Sequence, residues 1–111
     1  MKTVMIKISK DFTIKPGLRK IKDSDNSGEE FREKFLAKYF LNPELKDTHI
    51  IVDLDGGYGY CTSFLDEAFG GIVREYGINP DEVIKRLTLI SEEEKDLIDE
   101  VISYIKESKN G

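Results

Sequence analysis

The sequence has no tryptophan, one cysteine, one histidine, three prolines and no apolar run approaching the eighteen or so residues of a membrane span. Each scarcity removes a class of function. A single cysteine, Cys61, cannot close a disulfide within the chain, and with His49 as the lone histidine it cannot complete a closed structural zinc site. The amino-terminal stretch MKTVMIKISKDF lacks the apolar core of a signal peptide. The expectation is a soluble, cytoplasmic protein with no membrane contact, no metal and no cofactor. Positive charge is scarce too: 17 Lys and Arg stand against 22 Asp and Glu, a net charge of −5. Residues 1–47 hold eleven basic against eight acidic side chains, and residues 48–111 hold six against fourteen. The acidic half lacks the positive footprint that nucleic acid requires. The one basic cluster, Lys15, Arg19, Lys20 and Lys22, reads as a solvated face or as a meeting point for an acidic partner.

What remains is enough for one domain over 1–111. At 39% hydrophobic residues, a chain of 111 residues hides about two-thirds of its unfolded surface on folding, which suffices for a single core. Val4, Ile6 and Ile8 alternate with Met5 and Lys7 as a half-buried strand does, and Phe12 with Ile14 suggests a second strand ending at Pro16-Gly17. Leu18 and Ile21 suggest a short third before the polar loop 23–28. Ser27 and Glu30 form a capping-box pattern ahead of Phe31, Phe35, Leu36 and Tyr39, one face of a helix that Asn42-Pro43 stops. HIIVDL over 49–54 has the character of a central strand covered on both faces.

After GGYGY comes the strongest helical pattern, Phe64, Leu65, Ala68, Phe69, Ile72, Val73 and Tyr76, with Gly77 as its C-cap. Gly70-Gly71 inside it costs about 1 kcal/mol per glycine relative to alanine, so a close backbone contact should compensate. Asn79-Pro80 starts a short helix over 81–86, Leu87–Ile90 reads as a buried strand, and Ser91 with Glu94 caps a last amphipathic helix through Leu97, Val101 and Ile105. The order is that of an α/β domain with a mixed, mostly parallel sheet and helices packed on it. In open α/β sheets function sits beyond the carboxyl ends of the strands, here beyond 49–54.

That edge is D53-L-D-G-G-Y-G-Y-C-T-S-F-L-D-E-A-F-G-G71, and it admits four readings. A glycine turn between strand and helix can aim N–H groups at a phosphate, yet Gly56-Gly57-Tyr58-Gly59 matches neither common nucleotide motif and no lysine follows. A helix N-terminus activates a thiol, yet His49 lies roughly 15–20 Å away by strand rise, so Cys61 is expected to be a small buried hydrophobe. Asp53, Asp55, Asp66 and Glu67 supply carboxylates for a cation, but acidic residues in a first helical turn also serve the helix dipole. Last, Thr62 or Ser63 can accept a phosphoryl group at an exposed helix start, or simply cap it.

The stretch IIVDLDGGYGYCTSFLDEAFGGIVREYG, continued by IKRLTLIS and preceded by FREKFL, resembles the STAS-like domains of unknown function, and more distantly the STAS domains of anti-sigma factor antagonists. In the latter a strand aspartate is followed, eight residues on, by Asp-Ser-Ser-Gly at a helix start. With Asp53 on the strand aspartate, Cys61 stands on the motif aspartate, Thr62 on the regulatory serine, Ser63 on the second serine and Phe64 on the glycine. The resemblance implies a non-enzymatic regulatory module whose first hydroxyl, Thr62 or its neighbour Ser63, is phosphorylated by a serine kinase of the histidine-kinase ATPase type. Asp55, Gly56, Gly57, Tyr58, Gly59, Tyr60, Phe64, Asp66 and Glu67 are then the candidate docking edge. The alternatives are a small-molecule or anion (nucleotide) site in the loop Gly56–Ser63, and a homodimer joined by a strand edge or the final helix.

Overall fold

β-Branched residues fill the central strand, and their burial alternates. In the computed structural model, which describes residues 2–109, Thr48, Ile50 and Val52 are buried while His49, Ile51 and Asp53 remain half-exposed. Strands β1 (Lys2–Lys7), β2 (Thr48–Asp53) and β3 (Leu87–Ile90) form one parallel sheet in the order β1-β2-β3, with Met5 opposite Ile51 and Ile51 opposite Thr88. Ile6, Ile50, Val52, Leu87 and Leu89 turn one face into the core shared with the helices. The other face, with Met5 at 61% exposure beside Ile51 and Ile90, is open. The expectation that HIIVDL is covered on both faces therefore fails: the run is continuous in sequence because apolar Ile51 sits on the uncovered side.

The second and third strands expected at 12–14 and 18–21 do not form. Ile8–Phe12 winds as one π-helical turn closed by the Thr13 N–H on the Ile8 carbonyl at 2.8 Å, and Phe12 packs against Phe31 and Phe35. From Thr13 to Asn26 the chain is an irregular strap. Its backbone groups are satisfied one at a time rather than by a ladder: Gly17 N–H to Asn26, Gly28 N–H to Leu18, Glu29 N–H to Arg19 and Tyr58 N–H to Ile14.

Helix α1 spans 28–41, with Ser27 as N-cap accepting the Glu30 N–H at 3.1 Å and a π-helical middle, Arg32–Leu36, between α-helical turns. Helix α2 spans 62–76, again π-helical in the middle over Asp66–Gly70, and ends at Gly77 with φ +70. Asn79 caps α3 (Pro80–Arg86), and α4 (Asp96–Glu107) closes the fold. Phe31, Phe64 and Phe69 at the α1–α2 contact are fully buried. The glycine pair does meet close neighbours, but they are side chains rather than the backbone expected: a Cβ on Gly71 would collide with the Arg32 guanidinium, and one on Gly70 would lie 2.6 Å from the Ser108 hydroxyl. No helix among the described residues is long and apolar enough to cross a membrane.

Candidate functional site

Because the strands are parallel, their carboxyl ends gather on one edge, and the loop after β2 is clamped there by its own acidic side chains. Asp53 accepts the Asp55 N–H at 2.9 Å and pairs with Lys7 at 3.5 Å. The Asp55 carboxylate accepts the N–H groups of Glu92 and Glu93 at 2.9 and 3.0 Å, while Glu93 accepts the Gly56 N–H at 2.9 Å. Those backbone hydrogen bonds hold the Asp55 carboxyl below its ordinary range. This clasp replaces the capping box expected at Ser91 and Glu94. Ser91 donates to the Glu94 carbonyl instead, and α4 begins only at Asp96, because Asp55 takes the N–H groups of the preceding turn.

Gly56 and Gly59 have φ of +96 and +113, so the loop needs glycine at both positions. Its polar groups mostly serve the fold. The Gly56 and Tyr58 amides are bound internally, and Tyr60 donates its hydroxyl to the Leu54 carbonyl at 2.8 Å. Burial, with Asp53, Asp55 and Glu93 nearby, pushes the Tyr60 phenol well above its ordinary range. A cleft of about 190 Å³ beside the loop is lined by Asp55, Tyr58, Tyr60, Glu93 and Glu94, with no Lys or Arg. Its charge does not favour a phosphate. Among the described residues no group of three or more His, Cys, Asp or Glu is placed to hold a metal ion.

The start of α2 differs from expectation in three ways. Cys61, not Thr62 or Ser63, is the N-cap, and no side chain caps the helix. Cys61 is exposed rather than a buried hydrophobe, its thiol donating to the Gly17 carbonyl at 3.0 Å and lying 3.2 Å from the Ser63 hydroxyl. Phe64 is fully buried against Tyr60 and Phe31, so its ring belongs to the core and offers a partner nothing. Thr62 is exposed on the first turn and Ser63 is half-exposed.

Asp66 and Glu67 are not first-turn dipole partners, because the helix begins at Thr62 and places them one turn later. They are instead the centre of an ion-pair network that ties three elements together. Glu67, 2% exposed, accepts from Arg32 at 2.5 Å and pairs with Lys20 at 3.3 Å; Asp66 accepts from Arg19 at 2.6 Å and from Arg74 at 3.1 Å. Arg32, also 2% exposed, donates further to the Glu67 carbonyl and to the Tyr76 hydroxyl, which in turn bonds Glu33. Burial favours the neutral Glu67, but the bonds and charge from Arg32 and Lys20 outweigh it, and the carboxyl is held below its ordinary 4.5. Burial and the Glu33 carboxylate push the Tyr76 phenol up to about 12.

Two members of the basic cluster, Arg19 and Lys20, are thereby explained, and Lys15 lies over the Tyr58 ring at 5.7 Å. Arg32 was missed in the sequence, although it left a signal. It stands four residues before Leu36 on the apolar stripe of α1, and a glycine faces it on α2.

The same region gathers exposed apolar side chains. Tyr58 (76%), Ile14 (46%), Leu18 (49%) and Ile21 (56%) are four of the six large hydrophobics exposed among the described residues. Backbone bonds place Ile14 against Tyr58, and the Cys61–Gly17 bond sets Leu18 next to the start of α2.

A family model described as a STAS-like domain of unknown function (DUF4325) matches residues 27–97, well over half of the chain. No curated protein and no solved structure matches. The matched range contains the whole loop and α2 and leaves the strap outside.

Proposed function

The chain belongs to the family of STAS-like domains of unknown function, and from that premise we propose that it is a non-enzymatic, cytoplasmic regulatory module that binds a partner protein at the start of α2 and is switched by phosphorylation of Thr62 or Ser63. The observation that carries this reading is the exposure of Thr62 on the first turn of α2, with exposed Tyr58 four residues before it on a loop bonded to Ile14 and with Leu18 brought to the helix start by the Cys61–Gly17 bond. Exposed apolar side chains grouped around one polar position mark a protein-interaction site more readily than a solvated surface. The partner class is the one the anti-sigma antagonist resemblance implies, a histidine-kinase-like ATPase. In the transfer the Thr62 hydroxyl oxygen attacks the γ-phosphorus of the partner's ATP, the bond to the β,γ-bridging oxygen breaks, ADP leaves, and the hydroxyl proton passes to a base of the partner. The added charge of about −1.5 to −2 then stands in the docking surface and disfavours the complex.

The test is co-purification with the proteins encoded beside its gene, with and without ATP. The reading predicts a complex that ATP weakens for the natural sequence and not for the Thr62→Ala, Ser63→Ala double variant. ATP dependence that survives both changes contradicts it. Thermal denaturation with ATP or phosphate alone separates the anion-site alternative, since a ligand at a hundred times its dissociation constant stabilises by about 2.7 kcal/mol.

A further inference from the structure

Resting on that reading, we propose that the strap 13–26 is the moving part of the switch, and that Arg19 and Lys20 leave Asp66 and Glu67 for a phosphoryl group on Thr62 or Ser63. The strap is held to α2 by the pairs Arg19–Asp66 at 2.6 Å, Arg19–Glu67 at 3.4 Å and Lys20–Glu67 at 3.3 Å. Both carboxylates have a second cation of their own. Asp66 keeps Arg74 at 3.1 Å, and Glu67 keeps Arg32 at 2.5 Å. Withdrawing Arg19 and Lys20 therefore strands no buried charge, which is the usual obstacle to breaking such a pair.

Position favours the exchange. Thr62 and Asp66, like Ser63 and Glu67, are four residues apart on α2, a spacing that sets their Cβ atoms about 5–6 Å apart on one face. A phosphate there repels the carboxylates one turn below and attracts the same guanidinium and ammonium, which are about one-third exposed and able to turn. The strap carries Ile14, Leu18 and Ile21, so moving Arg19 and Lys20 moves the apolar side chains that a partner would touch. What remains to hold it is a set of single hydrogen bonds: the Gly28 N–H to Leu18, the Glu29 N–H to Arg19 and the Tyr58 N–H to Ile14, with the Cys61 thiol on Gly17 and the Ile21 N–H on the Glu29 carboxylate. Phosphorylation then acts twice on a bound partner, by charge at the helix start and by displacement of the strap.

The experiment places phosphothreonine at 62, or phosphoserine at 63, by genetic encoding, and so requires neither kinase nor partner. Phosphorus NMR follows the phosphate titration, and hydrogen exchange follows the amides of residues 17–21. The proposal predicts a second phosphate pKa below its free value of about 6 by roughly half a unit, restored in Arg19→Gln and Lys20→Gln backgrounds. It also predicts strap amides exchanging roughly tenfold faster than in the unmodified chain. Arg19→Lys is the companion variant, keeping the charge while losing the guanidinium fork. An unchanged titration in Arg19→Gln, or unchanged strap exchange, overturns the strap proposal. Failure of the docking reading would show instead as partner binding indifferent to phosphate.

Discussion

Arg32 and Glu67 show how one buried pair can decide whether two helices stay joined. Their side chains are each 3% exposed and 2.5 Å apart, and Arg32 donates further to the Glu67 carbonyl and to Tyr76. Removing Arg32 takes from Glu67 its one buried cation and leaves it the more exposed Lys20, Arg19 and Arg74, so Arg32→Ala should cost about 3 kcal/mol in urea denaturation, at the low end for a broken buried pair, whereas replacing both with apolar residues should cost less. The pH response follows in sign. Glu67 and Asp55 titrate below their unfolded values of 4.5 and 3.8. Their stabilisation is full above those values and lost as the pH falls through the lower folded ones. The urea midpoint should be flat from neutral pH to about 5 and drop below about 4, with Glu67→Gln removing part of the slope. Tyr58 is the opposite case. At 76% exposure its replacement by alanine should leave stability within about 0.5 kcal/mol, while partner affinity falls by about 2 kcal/mol if it is a binding anchor.

Among the elements, α2 carries most of the argument. Its apolar stripe was legible because Phe64, Phe69, Ile72 and Val73 recur at helical spacing, and all are buried. The glycine pair was legible as a demand for closeness, and Gly71 meets Arg32 there. Gly71→Ala should therefore destabilise by about 1–3 kcal/mol despite alanine's better helix propensity, because the added methyl displaces the guanidinium from Glu67. What was not legible came from tertiary partners. Phe12, Ile14, Leu18 and Ile21 read as strand residues, yet no open strand edge receives them, and the strap bonds to loop and helix ends instead. Asp55 could not be foreseen as the cap of the turn at 92–93, since 37 and 38 residues separate the partners.

Across the whole molecule, charge and apolar surface are distributed unevenly. Apart from Asp66 and Glu67 in the ion-pair network, the acidic residues beyond 48 occupy the loop clasp, the turn before α4 and the outer faces of the helices, while the exposed apolar side chains Ile14, Leu18, Ile21 and Tyr58 keep company with Lys15, Arg19, Lys20 and Lys22. The sheet's open face offers a second apolar area around Met5, Ile51 and Ile90. Three strands spaced about 4.8 Å apart and under 20 Å long give it only a few hundred Å², against about 800 Å² per partner in a standard interface, so a homodimer would need more than this face. The strap side carries four of the six exposed large hydrophobics among the described residues together with the basic cluster, and the central claim rests on it. Calorimetry of the identified partner with the unmodified chain and with the chain phosphorylated at Thr62 tests that claim most directly. The account predicts at least a tenfold loss of affinity, about 1.4 kcal/mol, on phosphorylation; equal affinities for the two forms would contradict it.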